Sequence, residues 1–373
     1  MAMICEQLDH NIDGGSLKFD FFPNVKHRLS VYASAQGIGR SSYFGTDMNP
    51  NAYGTTSDLT LVGGAQYTLG YKAGLPSELT VGAEYNYNHL DDIYHATERH
   101  LKQETSTYGI FAQNEWKSDK VNILIGFRLD KHNMIERPIF APRANVRYSP
   151  IENLGLRISY SSGYRAPQAY NEDLHIDALN HSVSIIEIDP NLRPEFSHSF
   201  SASADYYHTF GRLQTNLLVE GFYTTLNDVF ALREKSHENG ILTLERHNAS
   251  GANVYGVTME GKLAYQNKLQ LQAGATLQKS EYKEPEQWSE TAKAEKRIAR
   301  TPEAYGYFTL SYTPIKPLTA AFSGTYTGSM LMQHVAGYVP EDIAVETPEF
   351  FDLNFKLSYD FDLGGGSALQ LNA

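Results

Sequence analysis

His175 and His181 fall within the longest polar stretch of the chain, with Tyr170 and Glu172 close by. Neutral imidazole suits iron, and a loop side chain is free to move to meet a ligand. The plainer reading of each is a solvated loop histidine, in a chain that carries 13 His. His89, His95 and His100 form a second group in another long loop and add to the case for capture of a metal complex. Their spacing matches no helix-borne motif such as H-E-x-x-H. Asp91 and Asp92 offer carboxylates to calcium or, more simply, a solvated loop tip. Tyr164 and Arg165 open the same stretch as His175 and His181 and, with Tyr170, are candidates for direct ligand contact. Other chemistry finds little support. Ser, His and Asp occur in the loops without any spacing that suggests a triad. Gly37-Ile-Gly39 is an isolated glycine pair within a strand, which fits close backbone packing better than a phosphate loop. Cys5 is the one cysteine, so no internal disulfide forms. Neither an enzyme nor a resident cofactor is expected.

The elements that must hold these residues are strands. In Val121-Asn-Ile-Leu-Ile-Gly-Phe-Arg-Leu-Asp130 the apolar Val121, Ile123, Ile125, Phe127 and Leu129 share one face. Asn122, Gly126, Arg128 and Asp130 share the other, with Leu124 the exception. Phe351, Leu353, Phe355, Leu357, Tyr359 and Phe361 likewise oppose Asp352, Asn354, Lys356, Ser358 and Asp360. From Ser16 onward the pattern predicts about sixteen such segments of about 9–14 residues, the length a membrane-spanning strand needs. The clearest lie near 57–70, 77–88, 105–117, 120–131, 153–163, 211–225, 254–265, 268–279, 317–328 and 349–361. Short links near 23–26, 71–76, 118–119, 150–153, 209–210, 266–267, 313–316 and 362–366 alternate with long ones. The long ones fall near 46–56, 89–104, 132–139, 164–194, 227–253, 280–299 and 330–347. Short turns on one rim and long loops on the other predict an all-β, antiparallel transmembrane β-barrel. A charge on its lipid face costs about 2–4 kcal/mol at the midplane. Arg128, Arg157, Glu220, Glu260, Lys262 and Lys356 therefore belong inside, and a one-residue slip would expose them all.

Composition agrees. The chain has 25 Tyr, 18 Phe and 29 Gly against two Trp, and tyrosine in that number suits strand ends at a membrane–water boundary. A net charge of -12 without a basic stripe argues against nucleic acid as a partner. No composition break divides the chain, and no repeat of 20–50 residues supports a propeller or solenoid. Met1-Ala-Met-Ile lacks the build of a signal peptide, and Leu369-Gln-Leu-Asn-Ala373 is an alternating run, so both natural ends are expected to lie beyond these residues.

The most specific stretch is Ser161-Ser-Gly163-Tyr164-Arg165-Ala166-Pro167, followed by Asp189-Pro190-Asn191-Leu192-Arg193-Pro194-Glu195. Here the chain resembles the TonB-dependent outer-membrane receptors. Their barrel strands end on a G-F/Y-R-A-P box and reopen on N-P-x-L-x-P-E, with Asp189 in place of the usual Asn. Asn248 to Glu260, with Tyr255-Gly256-Val257, and Arg300-Thr301-Pro302 before Tyr307 resemble two further family blocks. Pro167 and Pro194 would stop the flanking strands, since neither donates to a ladder. In that reading both boxes anchor a loop.

The resemblance implies more than the residues alone. Family barrels have about 22 strands and a plugged lumen. Residues 1–373 would then be one partial barrel domain, with the plug and energy-coupling box outside it and periplasmic TonB reached through them. It implies a monomer in the outer membrane of a Gram-negative bacterium that takes up a small ligand, where the Asn248-Ala-Ser250 glycosylation pattern means nothing. Haem receptors of the family carry a loop histidine between the two boxes, so His175 and His181 become candidates for an axial iron ligand. The expected ligand is an iron complex, haem or a ferric siderophore, with a corrinoid next. A passive porin is the rival class, sharing the lipid-facing pattern but keeping an open lumen.

Overall fold

The computed structural model describes residues 5–45, 52–95, 99–170, 177–179, 182–238, 241–266, 268–289, 291–334 and 339–373. Among them there is no α-helix, and strands follow in chain order. The first eight are β1 (Cys5–Asn24), β2 (His27–Gly45), β3 (Tyr53–Ala73), β4 (Leu75–Tyr94), β5 (Arg99–Lys117), β6 (Val121–His132), β7 (Ile139–Ile151) and β8 (Leu154–Arg165). Next come β9 (Asp177–Leu179), β10 (Ser182–Ile188), β11 (Glu195–Phe210), β12 (Leu213–Asn227), β13 (Phe230–Glu238), β14 (Ile241–Asn248), β15 (Ala252–Tyr265) and β16 (Leu269–Glu286). The last are β17 (Glu295–Arg297), β18 (Ala304–Ile315), β19 (Leu318–Thr327), β20 (Leu331–His334), β21 (Ile343–Glu346), β22 (Phe350–Gly364) and β23 (Ser367–Asn372).

Seventeen of these form one sheet. Without the three-residue β17, which pairs only with the far part of β16, sixteen strands make an antiparallel meander in which each pairs with its chain neighbour. The long-loop strands β9, β10, β13, β14, β20 and β21 stand apart from it. β1 and β23 each have a single neighbour, so the wall is open between them among the described residues. The first strand begins at Cys5, earlier than the patterning from Ser16 predicts.

One face of the wall is apolar and open, the other polar and concave. Ile125, Phe127, Ile158, Leu277, Phe351 and Phe355 are exposed on the first face. Rings pair across strands there, as Tyr85 with Tyr108 at 4.7 Å and Tyr160 with Phe200 at 4.8 Å between centroids. On the second face side chains reach past a whole strand. Tyr32 of β2 donates to Glu84 of β4 at 2.5 Å, and Arg128 of β6 pairs with the same carboxylate at 3.1 Å. Such reach requires convergence, so this face lines the lumen. Arg128 also holds Asp130 at 2.7 Å, and Gly109 leaves the space its guanidinium needs, since a Cβ there would meet the Arg128 side chain. Glu115 and Glu78 are both taken by Lys117 at 3.3 Å. A register slip would turn these charges to lipid, so the pairing is strongly specified.

Eight links of one to three residues close the short rim, between β1 and β2, β3 and β4, β5 and β6, β7 and β8, β11 and β12, β15 and β16, β18 and β19, and β22 and β23. Gly74 and Gly211 adopt left-handed backbone there, with φ of 75° and 65°, which glycine allows without a Cβ penalty.

The opposite rim departs from simple loops. The stretch 89–104 is largely strand, because β4 and β5 stay paired up to Tyr94 opposite Arg99. His89, Asp91, Asp92 and His100 therefore lie on strands and not at a loop tip. A ladder extending into water needs no apolar face, so polarity alone marked the wrong boundary. Asp92 is buried, held by Arg40 at 3.2 Å, Arg99 at 3.5 Å and the Thr56 hydroxyl at 2.5 Å, which overturns the solvated reading. Likewise β16 runs on to Glu286 within the stretch expected as loop from 280.

Candidate functional site at the long-loop rim

The two longest links, 166–194 and 228–251, fold together. β9 and β10 from the first join β13 and β14 from the second in a four-stranded sheet, ordered β13-β14-β10-β9. The joint between the loops is the parallel pair β10–β14, from Val183 opposite Ile241 to Ile188 opposite Arg246. Lys235 of β13 reaches Glu187 of β10 at 2.8 Å, and Arg233 holds Glu245 at 2.6 Å. The hydrogen bond from Arg233 holds the Glu245 carboxyl below its ordinary range, and the bond to Glu187 pushes the Lys235 ammonium up.

The motif residues knit this sheet to the wall. Glu195 opens β11 directly opposite Arg165 at the end of β8, with Phe196 opposite Tyr164 and Ser197 opposite Gly163. Glu195 accepts the Phe230 backbone N–H at 2.9 Å. The Arg165 guanidinium stacks on the Tyr170 ring at 4.0 Å and lies 5.3 Å from the Phe230 centroid, a cation held between two aromatic faces. Tyr170 donates its hydroxyl to the Ala166 carbonyl at 2.8 Å. Burial pushes the Tyr170 phenol up, and the Arg165 charge opposes that. Ala166 is buried with Ile135 and Ile139, against Tyr164 and Phe196, just before Pro167 ends the ladder.

In the second box the Asp189 carboxylate accepts the Asn191 N–H at 2.8 Å, and its carbonyl accepts the Leu192 N–H at 2.9 Å. Pro190 occupies the second place of this turn, where its fixed φ is favoured. Asp189 thus performs the local bond that an Asn oxygen would. Leu192 is buried, and Pro194 precedes the ladder that Glu195 opens. Asn248 clamps the box. It accepts the Arg193 N–H at 2.8 Å and donates to the carbonyls of Arg193 and Asp228 at 3.0 and 2.7 Å.

From Pro167 the chain crosses over the lumen. Gln103, on the inner face of β5, accepts the Ala169 N–H at 2.7 Å and donates to its carbonyl at 3.4 Å. Gln168 meets His132 at 3.3 Å, and Ala169 packs with Leu90, Leu101 and Ile188. Further on, β9 lies against β2. The neighbouring loops join the same assembly. Glu234 donates its N–H to the Trp288 carbonyl at 3.1 Å, Arg297 pairs with Glu346, and Asp342 donates its N–H to Thr291 at 3.2 Å. The stretch 330–347, expected as loop, carries the β20–β21 hairpin.

Of the candidate ligand contacts, Arg165 and Tyr170 are brought together and Tyr164 packs against Ala166, while His175 and His181 lie outside the described residues, as does Glu172. His100 bonds Asp91 at 2.9 Å, and His89 lies 3.4 Å from Glu104 without a hydrogen bond to it, both on the β4–β5 ladder. Among the described residues no three His, Cys, Asp or Glu side chains converge as a metal site. Gln103 carried no sequence signal, and Asp92 was noticed only for its neighbour Asp91, not for the Arg40, Arg99 and Thr56 that hold it. Asn248 opened a block already noticed for its resemblance.

Comparison with known proteins decides the family. The family model for the TonB dependent receptor-like β-barrel matches residues 7–373. The chain belongs to this family. No curated protein matches the sequence. Among solved structures, the TonB-dependent receptor barrel is similar to the siderophore receptor PirA from Acinetobacter baumannii, with a TM-score of 0.74 and 14% identity over 95% of this chain and 57% of that one. The ferric-catecholate import receptor Fiu from E. coli K12 gives 0.71 and 15%, over 98% and 59%. The ferric enterobactin receptor PfeA from Pseudomonas aeruginosa gives 0.73 and 14%, over 97% and 56%. The chain thus spans under two thirds of each of these relatives, and at such identities the likeness carries the fold.

Proposed function

We propose that this TonB-dependent receptor barrel forms the wall and mouth of an outer-membrane protein that takes up a small iron complex by energy-coupled transport, with residues 1–373 as one part of its barrel domain. The observation that carries the reading is the roofed mouth. Two loops joined as one sheet, tied to the inner wall through Gln103 and Ala169, stand over a lumen lined by ion pairs. A passive channel needs an open water path, whereas loops that fold as a unit suit capture and enclosure of a ligand. A ferric siderophore is the preferred ligand, since similar structures are named for siderophores and ferric catecholates. The partners are TonB and the lipid of the outer membrane; the protein acts as a monomer and catalyses no reaction.

Deleting the gene in its host and supplying radio-iron as ferric enterobactin tests this. Saturable uptake that disappears with the gene, and on collapse of the proton gradient, is the expected result. Uptake that rises linearly with concentration and ignores the gradient would instead indicate a porin. Haem is the second ligand, resting on His175 and His181 with Arg165 and Tyr170 at the base of their loop. Replacing both histidines with Ala should abolish growth on haem as sole iron source if haem is the cargo. Undiminished growth removes it.

A further inference from the structure

Six of the eight short-rim links carry a lysine or arginine at or beside the turn: Lys26, Lys72, Lys120, Arg212, Lys268 and Lys316. All six are exposed, and none forms an ion pair among the described residues. The pattern follows no turn requirement, because tight turns favour Gly, Asn, Asp and Pro. Nearby acids are fewer. Asp119 sits beside Lys120, and Glu152 and Asp362 stand at the two links without a cation. Glu78 and Glu115 are occupied by Lys117, and Asp20 by Lys18 and Arg28. The rim is therefore a net cationic ring on a chain whose overall charge is -12.

A second observation places that ring in depth. Within four residues of Lys120, Arg212, Lys268 and Lys316, on the lipid face, stand Trp116, Phe210, Tyr265 and Tyr312. Aromatic rings gather at the membrane–water boundary, where an apolar body meets a polar tip. A cation up to four residues beyond such a ring lies at the level of lipid phosphates. A long Lys or Arg stem can then stay on the apolar surface while its head reaches outward.

We propose that this ring binds anionic phospholipid headgroups of the leaflet at the short-turn rim, with phosphatidylglycerol as the class of lipid it selects. The inference rests on the membrane placement above but not on the cargo. An anionic surface attracts each nearby Lys or Arg, and the attraction falls off within a Debye length. Several cations on one rim make it a lipid-selective collar that resists vertical displacement of the wall.

The test uses the receptor as its host produces it, reconstituted in phosphatidylcholine with a trace of spin-labelled phosphatidylglycerol or spin-labelled phosphatidylcholine. The motionally restricted fraction of each label gives their relative association with the protein. Phosphatidylglycerol should associate at least about threefold more strongly in low salt, with the preference shrinking as salt rises. Replacing all six residues with Gln should bring the ratio to about one. Replacing Lys293 and Lys296 of the opposite rim with Gln should leave it unchanged, and folding is checked by the strand signal in circular dichroism. Soluble glycerol phosphate, added in excess, should not displace the lipid, which separates a headgroup in a bilayer from a free phosphate ester. Equal association of the two labels with the unaltered protein overturns the proposal and leaves the ring to another acidic partner. A preference that survives the six-site change also overturns it. Were neither label restricted, the membrane placement itself would fall, whereas loss of iron uptake alone would leave the lipid collar standing.

Discussion

At the short rim a hairpin closes in one to three residues, and six turn cations stand exposed without an ion pair among the described residues. At the long rim the two longest links run out over the lumen and pair with one another, with Lys235 of one held by Glu187 of the other. Both rims end the same strands. Their shapes are encoded at different ranges along the chain. A tight turn is determined locally by a glycine or a proline and is free to face a lipid surface. A long loop loses much conformational entropy on ordering, so it holds one shape only when other loops supply bonds to offset that loss.

Substitutions in the wall, the roof and the turns separate these behaviours. The largest effect lies in the wall shared by both rims. Ile158→Arg, on the lipid face, should cost about 2–4 kcal/mol of folding stability in vesicles, measured by denaturant titration. A negligible cost would mean that this face does not meet lipid. Arg128→Met should cost about 1–3 kcal/mol, because Glu84 and Asp130 lose their shared donor, with the partly exposed setting keeping it at the low end. Asn248→Ala removes two bonds between the loops and one within its own loop, and should cost about 1–2 kcal/mol locally. Hydrogen exchange should then quicken in β13 and β14 and stay unchanged in β3 and β4. Equal quickening in both would show that the roof and wall unfold together.

The pH dependence of the roof is smaller. Glu245 has its folded pKa lowered from 4.5, chiefly by the Arg233 hydrogen bond. Its contribution is therefore present above the unfolded value and lost as pH falls through the lower folded one. Protection of β14 should hold from neutral pH down to the unfolded glutamate range and decline below it. Glu245→Gln should remove that decline. The smallest effect belongs to the short rim, where Arg212→Gln should change stability by less than about 0.5 kcal/mol while weakening lipid selectivity.

The sequence by itself determined the wall. Period-two alternation through Val121–Asp130 or Phe351–Phe361 assigns each side chain to lipid or lumen, since neighbours along a strand point opposite ways. The alternation of short and long links set the order of pairing, and the boxes around Tyr164-Arg165 and Pro190-Asn191 marked where the longest loop leaves and returns. The course of that loop in between depends on contacts with distant segments. Polar strands extend above the membrane without an apolar signature, so 89–104 read as loop although its backbone continues the ladder to Tyr94 and Arg99. The joint of β10 with β14 is parallel and joins segments more than fifty residues apart, which no local pattern encodes. The stacking of Arg165 between Tyr170 and Phe230 was equally hidden, because Phe230 reaches it from a different loop. Local periodicity reports the solvent a residue faces; it does not report which distant segment satisfies a backbone that has left the wall.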